Sequence, residues 1–118
     1  ETKELIKEVY EKENYLLDPH TAVAYKGMLD FKKENKNEYK TIVLSTASPY
    51  KFMDTVFNSI STSNSDEFTM MEECEQLTNV SIPNNLKNLK DKENLHKTNV
   101  EISEMKNAIL NILGENHD

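Results

Sequence analysis

The feature that most constrains this chain is an aliphatic block, TIVLST at residues 41–46, that runs directly into the turn-forming residues Ala47, Ser48 and Pro49. A continuous apolar block, as opposed to an alternating one, is typical of a strand buried on both faces of a parallel sheet. Such a strand needs neighbours to satisfy its backbone N–H and C=O groups. No other segment is long and apolar enough to be a second strand. We therefore expect a fragment of a larger α/β protein, mostly helical, whose one clear strand at about 41–46 pairs with strands from elsewhere.

Helical patterns surround this predicted strand. Residues 2–14 place apolar side chains at helical spacing, which predicts an amphipathic helix. A second helix is predicted after Asp18, which is a good N-cap, because Pro19 then takes the first helical position, where its missing N–H does no harm. Ser48, followed by Pro49, predicts the start of a third helix in the same way.

The second half of the chain is predicted to be helical as well. Ser65 is expected to cap a helix that carries Phe68 and Cys74 on one face. A last amphipathic helix is predicted over residues 101–113, with Gly114 as its stop.

Composition excludes several classes of function. The net charge is −7, and all 14 basic residues are lysine. Without arginine there is no planar fork for phosphates or guanine, so an acidic chain of this kind is not expected to bind nucleic acid. No apolar run approaches the roughly 20 residues of a membrane span, so no membrane partner is expected. Cys74 is the only cysteine, which predicts a reducing, cytoplasmic setting without an intramolecular disulfide.

Hydroxyl side chains crowd the carboxyl end of the predicted strand. In open α/β sheets, ligands bind outside this end of the strands, and a helix N-terminus there favours anions. Ser45, Thr46 and Ser48 are therefore candidate ligand contacts. The alternative is purely structural, with Ser48 capping its helix and Thr46 ending its strand.

Structural roles are predicted for the other potentially reactive residues. His20, beside Asp18, could be a proton shuttle or a metal ligand, but local capping of its helix is the better expectation. Cys74 lies on an apolar row and is expected in the core, not as a nucleophile. The histidines and Cys74 show no metal-ligand spacing, so no metal site is expected.

Two motifs of this chain resemble the C-terminal part of the threonine synthase family, in its longer bacterial and fungal form. The first is YLLDPHTAV at residues 15–23, and the second is TASPYKF at residues 46–52. The family's second motif reads Thr-Ala-His-Pro-x-Lys-Phe, so Ser48 stands where many members carry histidine, and no proton transfer is assigned to it. The likeness continues through VSIPNNLKNL, LHKT and the final helix, and covers about the last quarter of the family's chain.

The resemblance implies a pyridoxal-phosphate enzyme of fold type II that converts O-phosphohomoserine and water into threonine and phosphate. The cofactor would act as an electron sink. The Schiff-base lysine, the phosphate loop and most substrate contacts would lie in the missing N-terminal part of the same polypeptide. None of the lysines here matches that lysine's motif, so no catalytic residue is expected in this segment, which alone should be inactive.

The resemblance also implies roles for residues of both motifs. Thr46 would hydrogen-bond the pyridine nitrogen of the cofactor, with Ser45 and Ser48 as further candidates for cofactor binding. The pocket wall would be shaped by four consecutive residues of the first motif: Asp18, Pro19, His20 and Thr21.

The resemblance further predicts a division of the chain, within one continuous fragment. Residues 1–62 would be the C-terminal piece of the cofactor-binding α/β core, and residues 63–118 a helical C-terminal extension. The alternative function is that of a free-standing helical interaction protein whose lone strand pairs with a partner or with another copy.

Overall fold

Helices joined by irregular segments make up the part of the chain that the computed structural model describes, residues 1–36 and 39–114. Single turns of 3-10 helix at Pro49–Lys51 and Ile102–Glu104 precede the third and sixth α helices. The α helices are α1 (Thr2–Glu13), α2 (Pro19–Asn35), α3 (Met53–Ile60), α4 (Glu67–Thr78), α5 (Asn84–Lys87) and α6 (Met105–Leu113).

The predicted strand at residues 41–46 is absent, and the α/β assignment is therefore wrong for the described residues, although the mostly helical character is correct. Ile42 is 85% exposed and Leu44 is 75% exposed. No backbone hydrogen bond joins this segment to any other residue within 1–36 or 39–114. An aliphatic block indicates only that its side chains prefer burial. A strand forms only where the backbone of a second strand is hydrogen-bonded to it.

The helix starts were predicted more successfully, because local chemistry determines them. Asp18 is the N-cap of α2, and Ser48 caps the 3-10 turn before α3. The prediction for α4 was wrong by one residue, since the cap is Asp66 and not Ser65. The carboxylate of Asp66 reaches the N–H groups of the second and third helical residues. At the other end of the chain, α6 stops at Gly114 as expected, with φ at 77°.

Helix α1 packs against α2 and α3, and α3 also packs against α4. Two hydrophobic clusters result, and Ile60 of α3 contacts both. The predicted division at residue 62 stays a prediction, although the larger cluster contains residues from both sides of it. The smaller cluster consists of Leu5, Ile6, Val9, Leu17 and Ala22. The larger consists of Leu16, Tyr50, Met53, Val56, Phe57, Met70, Met71, Cys74 and Ile82.

The C-terminal part of the chain is extended and exposes an apolar face. Ile102 is 87% exposed, and Ile109 and Ile112 of α6 are 54% and 78% exposed. The radius of gyration is 19.2 Å, against about 13 Å for a compact domain of about 100 residues. No helix of the described residues is long and apolar enough to cross a membrane.

Candidate ligand site at the start of α2

The side chain of Asp18 is the centre of the candidate site. Only 1% of the residue is exposed. One carboxylate oxygen accepts hydrogen bonds from the backbone N–H groups of His20 at 2.9 Å and Thr21 at 3.2 Å. The other carboxylate oxygen accepts a short hydrogen bond from the Thr21 hydroxyl. Asp18 therefore satisfies the first turn of α2 and also fixes the Thr21 side chain.

Opposing effects act on the pKa of Asp18. Burial raises this pKa because the charged form loses water, but the hydrogen bonds from Thr21 and His20 lower it by more, so that it lies below its ordinary value. Asp18 is therefore ionised at neutral pH. An ionised carboxylate can only accept hydrogen bonds.

Two contacts connect the start of α2 to the second motif and to Ser45, the residue directly before it. The Thr21 and Ser45 hydroxyl oxygens lie 3.3 Å apart. The rings of His20 and Phe52 meet edge to face, with their centroids 4.9 Å apart. The first motif thus has one contact at Ser45 and one at Phe52, to either side of residues 46–48. We call residues 45–48 the hydroxyl turn.

The hydroxyl turn presents uncharged polar groups at the surface. Ser45 and Thr46 are exposed. Ser48 is half-buried, and its hydroxyl oxygen accepts a hydrogen bond from the Tyr50 N–H at 3.3 Å, so that its capping role is confirmed. Thr46 makes no hydrogen bond with any residue in the described part of the chain, and its hydroxyl is available to a ligand.

A groove of about 450 Å³ lies beside these residues, between α1, α2 and the segment at 41–45. Thr41, Val43 and Ser45 line it, whereas the residues between them point to solvent. Alternation of this kind is what an extended chain produces. Ser45 therefore faces α2 and the groove, where Thr21 also lies.

The remaining reactive residues lie apart from this site. Cys74 is fully buried in the larger cluster, and burial raises the pKa of its thiol. Burial likewise raises the pKa of Tyr50, whose hydroxyl donates a 2.5 Å hydrogen bond to the Val80 carbonyl oxygen. Lys51 is exposed at the end of the 3-10 turn. Within residues 1–36 and 39–114, no group of acidic, histidine and cysteine side chains could hold a metal ion.

The sequence contains a further signal for this site, which neither of the two motifs predicts. The pattern Asp-x-x-Thr occurs at the start of α2 and again at the start of α4, as Asp66 and Thr69. At α4, Asp66 accepts hydrogen bonds from two backbone N–H groups and, at 2.6 Å, from the Thr69 hydroxyl. This second copy is exposed. Nothing in the four-residue pattern itself distinguishes the buried copy from the exposed one.

Comparison with known proteins gives consistent matches. The family model described as "Threonine synthase, C-terminal" matches residues 21–109. A threonine synthase of Saccharomyces cerevisiae is 44% identical over 68 residues, which cover 52% of this chain and 13% of that protein. A threonine synthase of Schizosaccharomyces pombe is 43% identical over 53 residues, which cover 44% of this chain and 10% of that protein. The matches thus span a small part of these relatives' own length.

Proposed function

This chain belongs to the threonine synthase family, and we propose that it acts as the C-terminal part of an enzyme that converts O-phosphohomoserine and water into threonine and phosphate. The observation that carries the proposal is the family match over residues 21–109. The contact between the two motifs supports it, because the rings of His20 and Phe52 meet edge to face. Thr21 also lies against Ser45, the residue directly before the second motif. The comparisons give no support to the alternative of a free-standing interaction protein.

The side chains at the hydroxyl turn fit the pyridine end of pyridoxal phosphate. Three hydroxyl side chains lie within residues 45–48, and the carboxylate of Asp18, which is linked to Ser45 through Thr21, is shut off from solvent. A neutral hydroxyl can donate a hydrogen bond to an unprotonated pyridine nitrogen, whereas a facing carboxylate would favour the protonated form. When bound, the cofactor supplies the electron sink that the chemistry requires.

The residues of this chain would bind and orient the cofactor and not carry out a chemical step. Thr46 would donate its hydroxyl proton to the pyridine nitrogen, and Ser45 and Ser48 are further candidates for contacts to the cofactor. The first turn of α2, from Asp18 to Thr21, would form the wall behind the hydroxyl turn.

The catalytic groups would come from the rest of a longer, cytoplasmic fold type II enzyme. These are the Schiff-base lysine, the cradle for the cofactor's phosphate and most contacts to O-phosphohomoserine. The proposal therefore predicts that the 118-residue segment alone releases no phosphate from O-phosphohomoserine.

Substitution of Thr46 in the complete enzyme tests the proposal. Thr46→Val keeps the shape of the side chain and removes the donor. We expect turnover, measured as phosphate release, to fall roughly tenfold, the rate equivalent of one lost hydrogen bond of about 1.4 kcal/mol.

Thr41→Val is the matched control, because Thr41 lines the groove at the opposite end of the same segment. It should leave turnover within about twofold of the wild type. Equal losses in the two variants would contradict the role of Thr46. A complete polypeptide that releases no phosphate would contradict the enzyme assignment itself.

A further inference from the structure

The hydrogen bonds at the start of α2 run in a fixed direction. The Asp18 carboxylate only accepts, and both of its oxygens are already bonded inside the protein. The Thr21 hydroxyl carries a single proton, and it donates that proton in its hydrogen bond to Asp18. Thr21 therefore meets Ser45 with an oxygen lone pair.

In the hydrogen bond between Thr21 and Ser45, the Ser45 hydroxyl must therefore be the donor. Its oxygen lies 3.3 Å from that of Thr21, longer than the usual distance of about 2.7–2.8 Å between hydroxyl oxygens. The bond is accordingly weak, but no other arrangement of the two protons satisfies both contacts of Thr21. With its proton turned toward α2, Ser45 offers only lone pairs to a ligand at the hydroxyl turn.

We infer that Asp18 and Thr21 are positioning residues that make Ser45 a hydrogen-bond acceptor for the bound ligand and leave the donor role to Thr46. The inference rests on the proposed function for the identity of the ligand, pyridoxal phosphate. In chemical terms, the inference predicts that the Ser45 hydroxyl oxygen accepts a hydrogen bond from a donor group of the ligand or of its surroundings. An unprotonated pyridine nitrogen, which needs a donor, pairs with Thr46.

A purely structural role for the pair would look different in this chain. Asp66 and Thr69 cap α4 with the same three hydrogen bonds, and Asp66 there is exposed to solvent. Capping therefore does not require burial. At α2 the same Asp–Thr pair is buried, and its Thr21 hydroxyl also contacts Ser45, 24 positions away. This additional contact allows the pair to fix the position of the Ser45 side chain.

The first test uses the complete enzyme with Thr21→Val, Thr21→Ser and the matched control Thr69→Val. Hydrogen exchange of backbone amides in residues 45–52 reports whether the hydroxyl turn is held, and titration with pyridoxal phosphate gives the dissociation constant. Thr21→Val should speed exchange in this segment and raise the dissociation constant about threefold, as expected for one weak hydrogen bond. Thr21→Ser should restore both values, and Thr69→Val should change neither.

Asp18→Asn tests the direction of the hydrogen bonds. Asparagine is also a good N-cap, but its amide N–H donates to Thr21, so that the Thr21 proton turns to Ser45 and the Ser45 proton turns outward. We expect exchange in residues 45–52 to stay within about twofold of the wild type while the dissociation constant changes by about threefold or more.

Several results would overturn the inference. Exchange in residues 45–52 that is unchanged by Thr21→Val, or changed equally by Thr69→Val, would make Thr21 a cap and nothing more. A Thr21→Ser variant that behaves like Thr21→Val would do the same. For Asp18→Asn, an unchanged dissociation constant, or exchange raised as much as by Thr21→Val, would contradict the directional role. If the wild-type enzyme bound no pyridoxal phosphate, the proposed function would fail, and the exchange comparison would still decide whether Thr21 holds the turn.

Discussion

Two helices of this chain begin with the same four-residue device, and the difference between them separates capping from site formation. At α2, Asp18 is 1% exposed, and the Thr21 hydroxyl lies against Ser45 of a distant segment. At α4, Asp66 is exposed and the Thr69 hydroxyl bonds only within the cap. Since water can satisfy an exposed helix start, the buried copy is the one whose loss leaves polar groups without partners.

The pKa values of the two aspartates show the same contrast. Both lie below the ordinary value. At Asp66 the hydrogen bond from the Thr69 side chain is the main cause. At Asp18 the largest single influence is burial, which opposes the shift and is overcome by the hydrogen bonds. The buried copy therefore depends on its complete set of donors, and this dependence can be broken experimentally.

The largest effect on stability is expected from Asp18→Ala. It removes a helix cap, worth about 1 kcal/mol. It also leaves the buried N–H of Thr21 without an acceptor and the Thr21 hydroxyl with only its weak contact to Ser45, at about 2 kcal/mol more. Urea unfolding of the chain should show the free energy of unfolding reduced by about 3 kcal/mol in total. Asp66→Ala is the control and should cause a clearly smaller loss, because water replaces the exposed carboxylate. Equal losses would contradict the distinction between the two copies.

Acid should weaken the fold through the same group. The pKa of Asp18 is depressed in the folded chain, so its contribution to stability is complete above the unfolded value of about 3.9 and is lost as the pH falls through the lower folded value. Asp18→Asn cannot titrate, and its free energy of unfolding should therefore fall less steeply below about pH 4 than that of the wild type. The measurement is urea unfolding at a series of pH values. Parallel curves for the two proteins would contradict the depressed pKa.

A smaller effect is expected from Thr21→Val, which keeps the cap and the shape of the side chain. One oxygen of Asp18 loses its hydroxyl donor, and the free energy of unfolding should fall by about 1–2 kcal/mol. Thr21→Ser should recover most of this loss in the same urea measurement. A serine variant as unstable as the valine variant would indicate that packing of the methyl group, and not the hydroxyl, matters at this position.

The smallest effect is expected from Thr69→Val. Its hydroxyl bonds to an exposed carboxylate that water can reach. The free energy of unfolding, measured by thermal unfolding, should therefore differ from that of the wild type by no more than about 0.5 kcal/mol. A loss as large as that of Thr21→Val would show that burial does not separate the two copies.

Local chemistry made part of this structure predictable. A cap is a property of four consecutive residues, and for that reason Asp18 with Pro19, Ser48 and Gly114 were identified correctly as helix boundaries. The one-residue error at Ser65 has the same origin, because a hydroxyl and a carboxylate stand side by side there and the carboxylate makes the cap.

The errors concern relations between distant residues. Whether residues 41–46 form a strand depends on a second strand, and the aliphatic block carries no information about one. The contact between Thr21 and Ser45 depends on how the segment after α2 returns to its start, which leaves no periodic signal in the sequence. Only the resemblance to a family placed the two motifs in one site, and the roles it implies for Thr46, Ser45 and Ser48 stay predictions.

The most direct test of the account compares Asp18→Asn with Asp66→Asn in the complete enzyme, with the dissociation constant for pyridoxal phosphate as the readout. Both substitutions keep an N-cap and remove one charge. We predict that Asp18→Asn changes the dissociation constant by about threefold or more and that Asp66→Asn leaves it at the wild-type value. If the two variants bind the cofactor equally well, the start of α2 is only a helix cap, and the claim that it forms part of the cofactor site is contradicted.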